Sequence, residues 1–526
     1  MVKKVLISFV LINIVTLFLF KIWINYSWSV DGHDTFQYIH WSTTLFTEDR
    51  STVFFRPFLY LILYIAHTIS DWSPYTFQIF LYACSALTII IILNILKDLK
   101  ADLFSRLLSI IIFLSTLVFL EGDTIGWISS FEGLLLSLAV LFAIKVHKNP
   151  NNKIYLGIFI ITGLLASFTH EEKFVFFTVL LILTLLEHPK KMLYCLSLYV
   201  MSALLVILWL KGFDLSSITK GWAGAGVGES WGVRSNIFEN YFSTLKSSLY
   251  GFDPIFRNIF IGCSIFVFVR LLQLLNDLFS AYKLNSSWKL FIRSGFLLTL
   301  SKNSFIQNGS MRFLIIPSFL YILTIGILFN GIDLPRVTGP VTFFFVIGFF
   351  NIFYKKFVIN QFFYMIIFYV VITIFSINSI LYFDPFLKLS RTDKINSKFA
   401  FAENFIPKKS CVNKSPYILI TNAFDKRERS PGWGISEIYG LASKVYYGDC
   451  VITEKRLNED FKVAEQKEIL TSQIDFIVTD ETKHELIENS YVSNLNLTSW
   501  KKNVYQDCWS QSEYPCSMTI YQKDSK

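Results

Sequence analysis

Charge is scarce in this sequence. Of its 526 residues, 17% are Asp, Glu, Lys or Arg, where soluble domains carry about 25%. That shortage excludes an ordinary soluble globular protein. Metal-binding patterns are missing too: there is no CxxC and no His/Cys cluster with zinc spacing. His33, His40 and His67 do not recur at i, i+4 spacing with an acid, so no metal site is read from them. The glycine-rich stretch Gly221 to Ser230 lacks a following Gly-Lys-Ser/Thr, which excludes a nucleotide P-loop. A cleavage site of small residues is absent after the first apolar run, Val5 to Phe20, where Lys-Ile-Trp-Ile-Asn follows. That run therefore reads as a retained helix, not a signal peptide. No internal repeat relates the two halves of the chain.

What the chain has is apolar mass: 53% hydrophobic and 17% aromatic residues, with 54 phenylalanines. These fall into runs of roughly twenty, the length that spans about 30 Å of hydrocarbon. The reading is a polytopic α-helical membrane protein with about eleven to thirteen transmembrane helices. The formal charge of +9 then belongs to loops facing the cytoplasm and to anionic headgroups, and gives no support to nucleic-acid binding.

Spans are expected at Tyr75–Leu96, Leu107–Leu120, Ile128–Val146, Ile154–Phe168, Phe174–Leu186, Leu193–Leu210, Ile259–Leu275, Phe313–Phe329, Thr338–Tyr354 and Phe362–Tyr382. Phe55 to Ile69 is apolar but short and opens with Arg56-Pro57, so it reads as an interfacial or re-entrant helix. Counting it as a span puts the lysine clusters outside, against the positive-inside rule. A weak segment, Phe291–Leu300, leaves the path from Asn276 to Lys356 open. Residues 1–383 form the membrane domain, with an outer loop over 25–74.

The tail, residues 384–526, reads as a small extracytoplasmic α/β domain. Strands are expected at Tyr417–Ile420, Ile474–Val478 and Cys516–Tyr521, with a helical spacing between Glu459 and Leu470. It holds Cys411, Cys450, Cys508 and Cys516, an even set that favours disulfides in an oxidising compartment, with Cys508–Cys516 the easiest pair.

The outer loop carries Asp31-Gly-His-Asp34, Phe-Gln-Tyr38-Ile39, Leu45-Phe46 and Phe55-Arg56-Pro57. It resembles the first outer loop of GT-C glycosyltransferases, polytopic enzymes that use polyprenyl-phosphate sugars and include the protein O-mannosyltransferases and their bacterial relatives. Further patches match in order: Trp72-Ser-Pro74-Tyr75, Asp123-Thr-Ile-Gly-Trp127-Ile128, Thr169-His170-Glu171 and Arg312-Phe-Leu-Ile-Ile-Pro317-Ser318. Two departures each remove a fixed positive charge. Ser130-Phe131 stands where the family often has Gly-Arg, and His170 stands where it has lysine.

The resemblance implies an inverting transfer of a sugar from a polyprenyl-phosphate donor to a glycan, lipid or protein acceptor. Asp34 is the expected general base, with Asp31 as alternate, because the attacking hydroxyl must lose a proton. Arg56 and Arg312 are expected to hold the donor phosphate, since a guanidinium grips it bidentately. Asp123, His170 and Glu171 are expected to orient sugar or acceptor. No cofactor is assigned, and a divalent metal is left open. Charge alone puts Arg312 inside the cell; the resemblance puts it outside, and the latter is the expectation taken here. Blander readings stand beside these: Arg56 as an anchor to lipid phosphates, and Glu171 pairing with Lys173 at a helix end. The rival classes are a transporter or flippase for lipid-linked sugars, and a glycan polymerase or ligase. The lysine-, asparagine-, isoleucine- and phenylalanine-heavy usage and the outer cysteines suggest a bacterial inner membrane with the tail in the periplasm, and O-antigen or cell-surface polysaccharide as acceptor.

Overall fold

The computed structural model describes residues 2–27, 42, 57–70, 76–116, 129–169, 172–210, 243–246, 249, 254–284, 303–328, 334–358, 362–389 and 404–406. In the tail it describes 418–421, 451–454, 456–457, 462–463, 474–479, 499–506 and 517–523.

The apolar runs become helices, two of them capped by short polar side chains. In order they are α1 (Val2–Ser27), α2 (Pro57–Ile69), α3 (Thr76–Asp98), α4 (Leu103–Leu114), α5 (Ser129–Lys148), α6 (Lys153–Ser167), α7 (Lys173–Thr184), α8 (Pro189–Leu210), α9 (Pro254–Leu284), α10 (Ile316–Leu328), α11 (Leu334–Val358) and α12 (Phe362–Leu389). Asp102 caps α4 by accepting from the Ser105 amide at 3.0 Å. Asn152 caps α6 through the amides of Ile154 and Tyr155. Each carboxylate or amide oxygen satisfies donors that a helix start leaves orphaned. A wide π turn, Met311–Ile315, leads into α10.

Five of these helices contain stretches long and apolar enough to cross a membrane: Ile79–Asp98, Ser129–Lys148, Pro189–Val206, Arg257–Asn276 and Thr338–Lys356. Shorter apolar helices surround them, and the architecture is consistent with a helical membrane protein bearing a small sheet. The stretches in α5 and α11 are 78% and 83% buried, against 17% in α8 and 28% in α9. So α5 and α11 form the centre, and α8 and α9 the rim. Rim residues such as Leu193, Tyr194 and Met201 on α8 are exposed, as apolar side chains facing lipid are.

Contacts at the helix ends give the direction of the chain. Lys148 pairs with Asp98 at 2.7 Å, Lys191 donates to the Pro150 carbonyl at 3.1 Å, and Lys355 donates to the Leu99 carbonyl at 2.7 Å. The end of α3, the end of α5, the turn before α6, the start of α8 and the end of α11 therefore share one lysine-bearing end. Ser130 lies 18 residues before Lys148 on α5, about 27 Å away at 1.5 Å per residue. It marks the far end. Asn351 of α11 donates to Ser310 at 2.8 Å, which puts the start of the π turn at the lysine-bearing end. From there α10 runs out and α11 returns. α12 runs out again, its Ser376 meeting Ser115 beyond α4. The route left open by the sequence is drawn from Asn303 onward, and α12 leads to the far end before the tail begins.

Helix α2 stays at that far end. Near its start Phe58 stacks on Phe131 at 5.8 Å, and just past its end Ser70 bonds to Thr76 at the start of α3. It fits the interfacial or re-entrant reading. Helix α12 extends past the expected domain boundary at 384, to Leu389, because the apolar run continues through Phe386 and Leu387.

The tail contains a five-stranded mixed sheet in the order β2-β1-β5-β7-β6. Its strands are β1 (Ile418–Thr421), β2 (Val451–Glu454), β5 (Phe476–Thr479), β6 (Lys501–Gln506) and β7 (Ser517–Gln522), and a separate ribbon pairs β3 (Arg456–Leu457) with β4 (Lys462–Val463). Strands β1, β2 and β5 run parallel, and β7 pairs antiparallel with both β5 and β6. The helical spacing read over Glu459–Leu470 is corrected at Lys462–Val463, which are a strand; mixed charge at short range mimics both periods there. The four tail cysteines lie outside the described residues.

One close approach is testable. A Cβ on Gly163 of α6 would lie 2.1 Å from the Phe177 ring of α7. That ring has no room to swing, being packed by Phe159 at 4.9 Å and Tyr199 at 4.7 Å. Gly163→Val is expected to destabilise the detergent-solubilised protein by about 1–3 kcal/mol through overpacking, more than the few tenths that helix propensity returns. An unchanged unfolding midpoint would show that the ring yields.

Candidate functional site at the far end

The first turn of α5 is the centre of the far end. Ser129, Ser130, Phe131 and Glu132 are all buried there. They face different helices because successive residues step about 100° around the axis. On one side Lys21 of α1, fully buried, donates to Ser85 of α3 at 3.0 Å and to Ser130 at 2.9 Å. The two serine hydroxyls also bond each other at 2.5 Å.

On another side Lys173, the first residue of α7, faces Glu132 at 3.3 Å, with side-chain exposures of 0% and 4%. Lys173 also donates to the Tyr321 hydroxyl of α10 at 3.1 Å, and its ammonium lies 5.4 Å from the centre of that ring. Phe176 meets Tyr321 edge-on at 6.4 Å and holds the ring in place. Burying either charge alone costs several kcal/mol. The arrangement tolerates both because each neutralises the other, and the amino end of α5 adds positive potential beside Glu132.

No family model, curated protein or solved structure matches this chain. Its site therefore stands on its own geometry.

Of the residues expected from the sequence, Asp31, Asp34, Arg56, Asp123, His170 and Glu171 lie outside the described residues. The described helix ends that flank them are all at the far end: α1 beyond Lys21, the start of α2, the start of α5, and Thr169 and Glu172 on either side of His170-Glu171. Lys173 pairs with Glu132 of a different helix; Glu171, read from the sequence as its local partner, lies outside the described residues.

Arg312 is the exception. It sits at the lysine-bearing end, 2% exposed. Its Nε donates to the Leu183 carbonyl at 2.8 Å and its Nη1 to Glu187 at 3.0 Å, with His147 Nε2 3.4 Å away. The charge-based placement agrees with this position; the outer placement taken from the resemblance does not. Burial works against the Glu187 charge, but the Arg312 hydrogen bond and the charges of Arg312, His147 and His188 together hold its carboxyl below the usual range.

Sequence reading passed over Lys21 and Glu132. The signal was present: one acid inside the apolar run Ile128–Val146, and one lysine at the end of the first. Ionisable residues inside apolar spans are expensive and seldom idle. Among the described residues no group of His, Cys, Asp and Glu is arranged to hold a metal.

Proposed function

We propose that this protein is an integral-membrane glycosyltransferase of GT-C type, moving a sugar from a polyprenyl-phosphate donor to an acceptor glycan, lipid or protein with inversion. In this reading α1 and α3 to α12 cross the membrane, α2 lies at the interface, and the positive-inside rule turns the lysine-bearing end to the cytoplasm. The far end is then the outer, periplasmic face of a bacterial inner membrane. The tail lies on that face with Cys411, Cys450, Cys508 and Cys516 in disulfides.

One observation supports it most. The sequence lacks two positive charges of the family pattern, at Ser130-Phe131 and at His170. Buried lysines stand at both places: Lys21 on the Ser130 hydroxyl, and Lys173 three residues beyond His170. Asp34 takes the proton of the acceptor hydroxyl, with Asp31 beside it orienting. The leaving phosphate is already ionised and needs cations, not a general acid. Arg56 supplies one, Lys21 adds positive charge at the far end, and the Lys173–Glu132 pair holds the start of α7 against the start of α5. Asp123, His170 and Glu171 orient the sugar or the acceptor. Arg312 is left out of the donor site because it belongs to the opposite end.

The buried Lys173–Glu132 pair also suits a transporter or flippase, whose ionisable groups lie within the bundle. Reconstitution into vesicles with a labelled polyprenyl-phosphate hexose separates the two. Transfer of label to a glycan or lipid acceptor is the expected result. Movement of intact donor across the bilayer without transfer overturns the proposal. A phosphatase fused after Lys526 is expected to be active; an inactive one places the tail on the other side.

A further inference from the structure

The lysine-bearing end holds a feature that sugar transfer at the far end does not use. Arg312 spends Nε on a carbonyl and Nη1 on Glu187. Its Nη2 is buried and has no hydrogen-bond partner among the described residues. A guanidinium can present two parallel N–H bonds along one edge, and here half of that edge is unused. The Glu187 carboxylate engages Nη1 only, from a side chain that is 44% exposed, so the cluster reaches the surface there.

Basic side chains are concentrated around it. His147 lies against Nη1, and Lys145 and Lys148 stand on either side of it in the last turn of α5, Lys145 over the Phe142 and Tyr155 rings. His188, Lys190 and Lys191 come directly after Glu187. Of these lysines, Lys148 is paired with Asp98 and Lys191 is hydrogen-bonded to Asn151. The charged neighbours of the half-exposed Glu187 carboxylate are Arg312, His147 and His188, at the level where an anionic leaflet meets the protein. The π turn that carries Arg312 is buried along all five residues, and such turns concentrate at functional positions.

We propose that Arg312, with His147, forms a phosphate-binding site at the lysine-bearing face. Glu187 acts as its displaceable cover, and an anionic lipid headgroup or a free phosphate is the ligand. The phosphate takes the Nη1–Nη2 edge as a bidentate acceptor and releases Glu187 to solvent, while Nε keeps the Leu183 carbonyl. This site is separate from the far end and does not depend on the transferase reading.

The test uses the full chain in neutral detergent, following its unfolding midpoint during titration with phosphatidylglycerol, with phosphatidylcholine, and with inorganic phosphate. Phosphatidylglycerol is expected to raise the midpoint saturably, and phosphatidylcholine to have little effect. Stabilisation by inorganic phosphate as well assigns the site to the phosphate group alone; stabilisation by phosphatidylglycerol only assigns it to the lipid. Glu187→Gln removes the competing anion and is expected to lower the half-saturating concentration about tenfold. Arg312→Gln is expected to abolish saturation, and Arg312→Lys to keep a weaker response. Should Arg312→Gln fail to fold, Glu187→Gln still decides. Half-saturation unchanged or raised in that variant, or no saturable response to either anion in the native chain, overturns the site.

Discussion

Replacing Lys173 by methionine is expected to cost about 3–5 kcal/mol of stability, because it leaves the Glu132 carboxylate buried without its counter-ion. Both side chains are out of solvent, so water cannot take over the missing role. The Tyr321 hydroxyl, now held by Lys173, loses its donor as well. A second substitution tells cause from accident. Lys173→Met with Glu132→Met replaces the pair by two apolar side chains of similar size. Removing both charges together is often neutral or better, so the double variant is expected to recover most of the loss. Unfolding of the solubilised chain measures both. A Lys173→Met protein as stable as the native one would refute the buried pair, as would a double variant no better than the single. The double variant also separates stability from activity. If the pair only holds α5 against α7, transfer survives in a protein that has regained its stability. Loss of transfer in that protein would give the pair a part in the reaction beyond packing.

Asp34→Asn is expected to lower turnover by about 10²–10⁴-fold, the usual worth of a positioned general base, while expression and donor binding persist. The substitution keeps the shape of the side chain and removes its basicity. Asp31→Asn is expected to cost less, because an orienting contact survives in part with an amide. Initial rates with a labelled donor at saturating acceptor measure both. If Asp31→Asn abolishes transfer and Asp34→Asn does not, the two roles are exchanged. If neither slows transfer, the loop is structural and the glycosyltransferase reading loses its main support.

Much of the helical part was legible because an apolar run bounded by lysines needs few other cues. Val5–Phe20 and Thr338–Tyr354 lie within α1 and α11, and Ile128–Val146 lies within α5 from Ser129 onward; each helix runs past the apolar run into polar residues. α2 was legible as a short apolar helix, and its two ends lie at the far end as an interfacial reading requires. Strands β1, β5 and β7 were read from short apolar runs. β2 and β6 were not, since Val-Ile-Thr-Glu and Lys-Lys-Asn-Val-Tyr-Gln are half polar and owe their state to partners far along the chain. The site was harder. Motif spacing pointed to acids in loops, but it could not show which lysine meets which carboxylate. Lys173 and Glu132 are distant in sequence and are brought together only by the packing of α5 against α7. Arg312 shows the reverse hazard. A likeness in seven residues outweighed the charge count, and the charge count agreed with the geometry.

The wide turn between Met311 and Ile316, closed by the Ile316 amide on the Met311 carbonyl, holds one residue more than a regular turn. In genetic terms it is a one-codon insertion accommodated inside a helix. Each residue of a regular helix advances about 100° around the axis, so losing Phe313, Leu314 or Ile315 would rotate everything before the lesion against α10. The Arg312 guanidinium would then leave α7 for another face, with the sequence on either side intact. Where this charge lies is thus written in the length of the chain as much as in its letters.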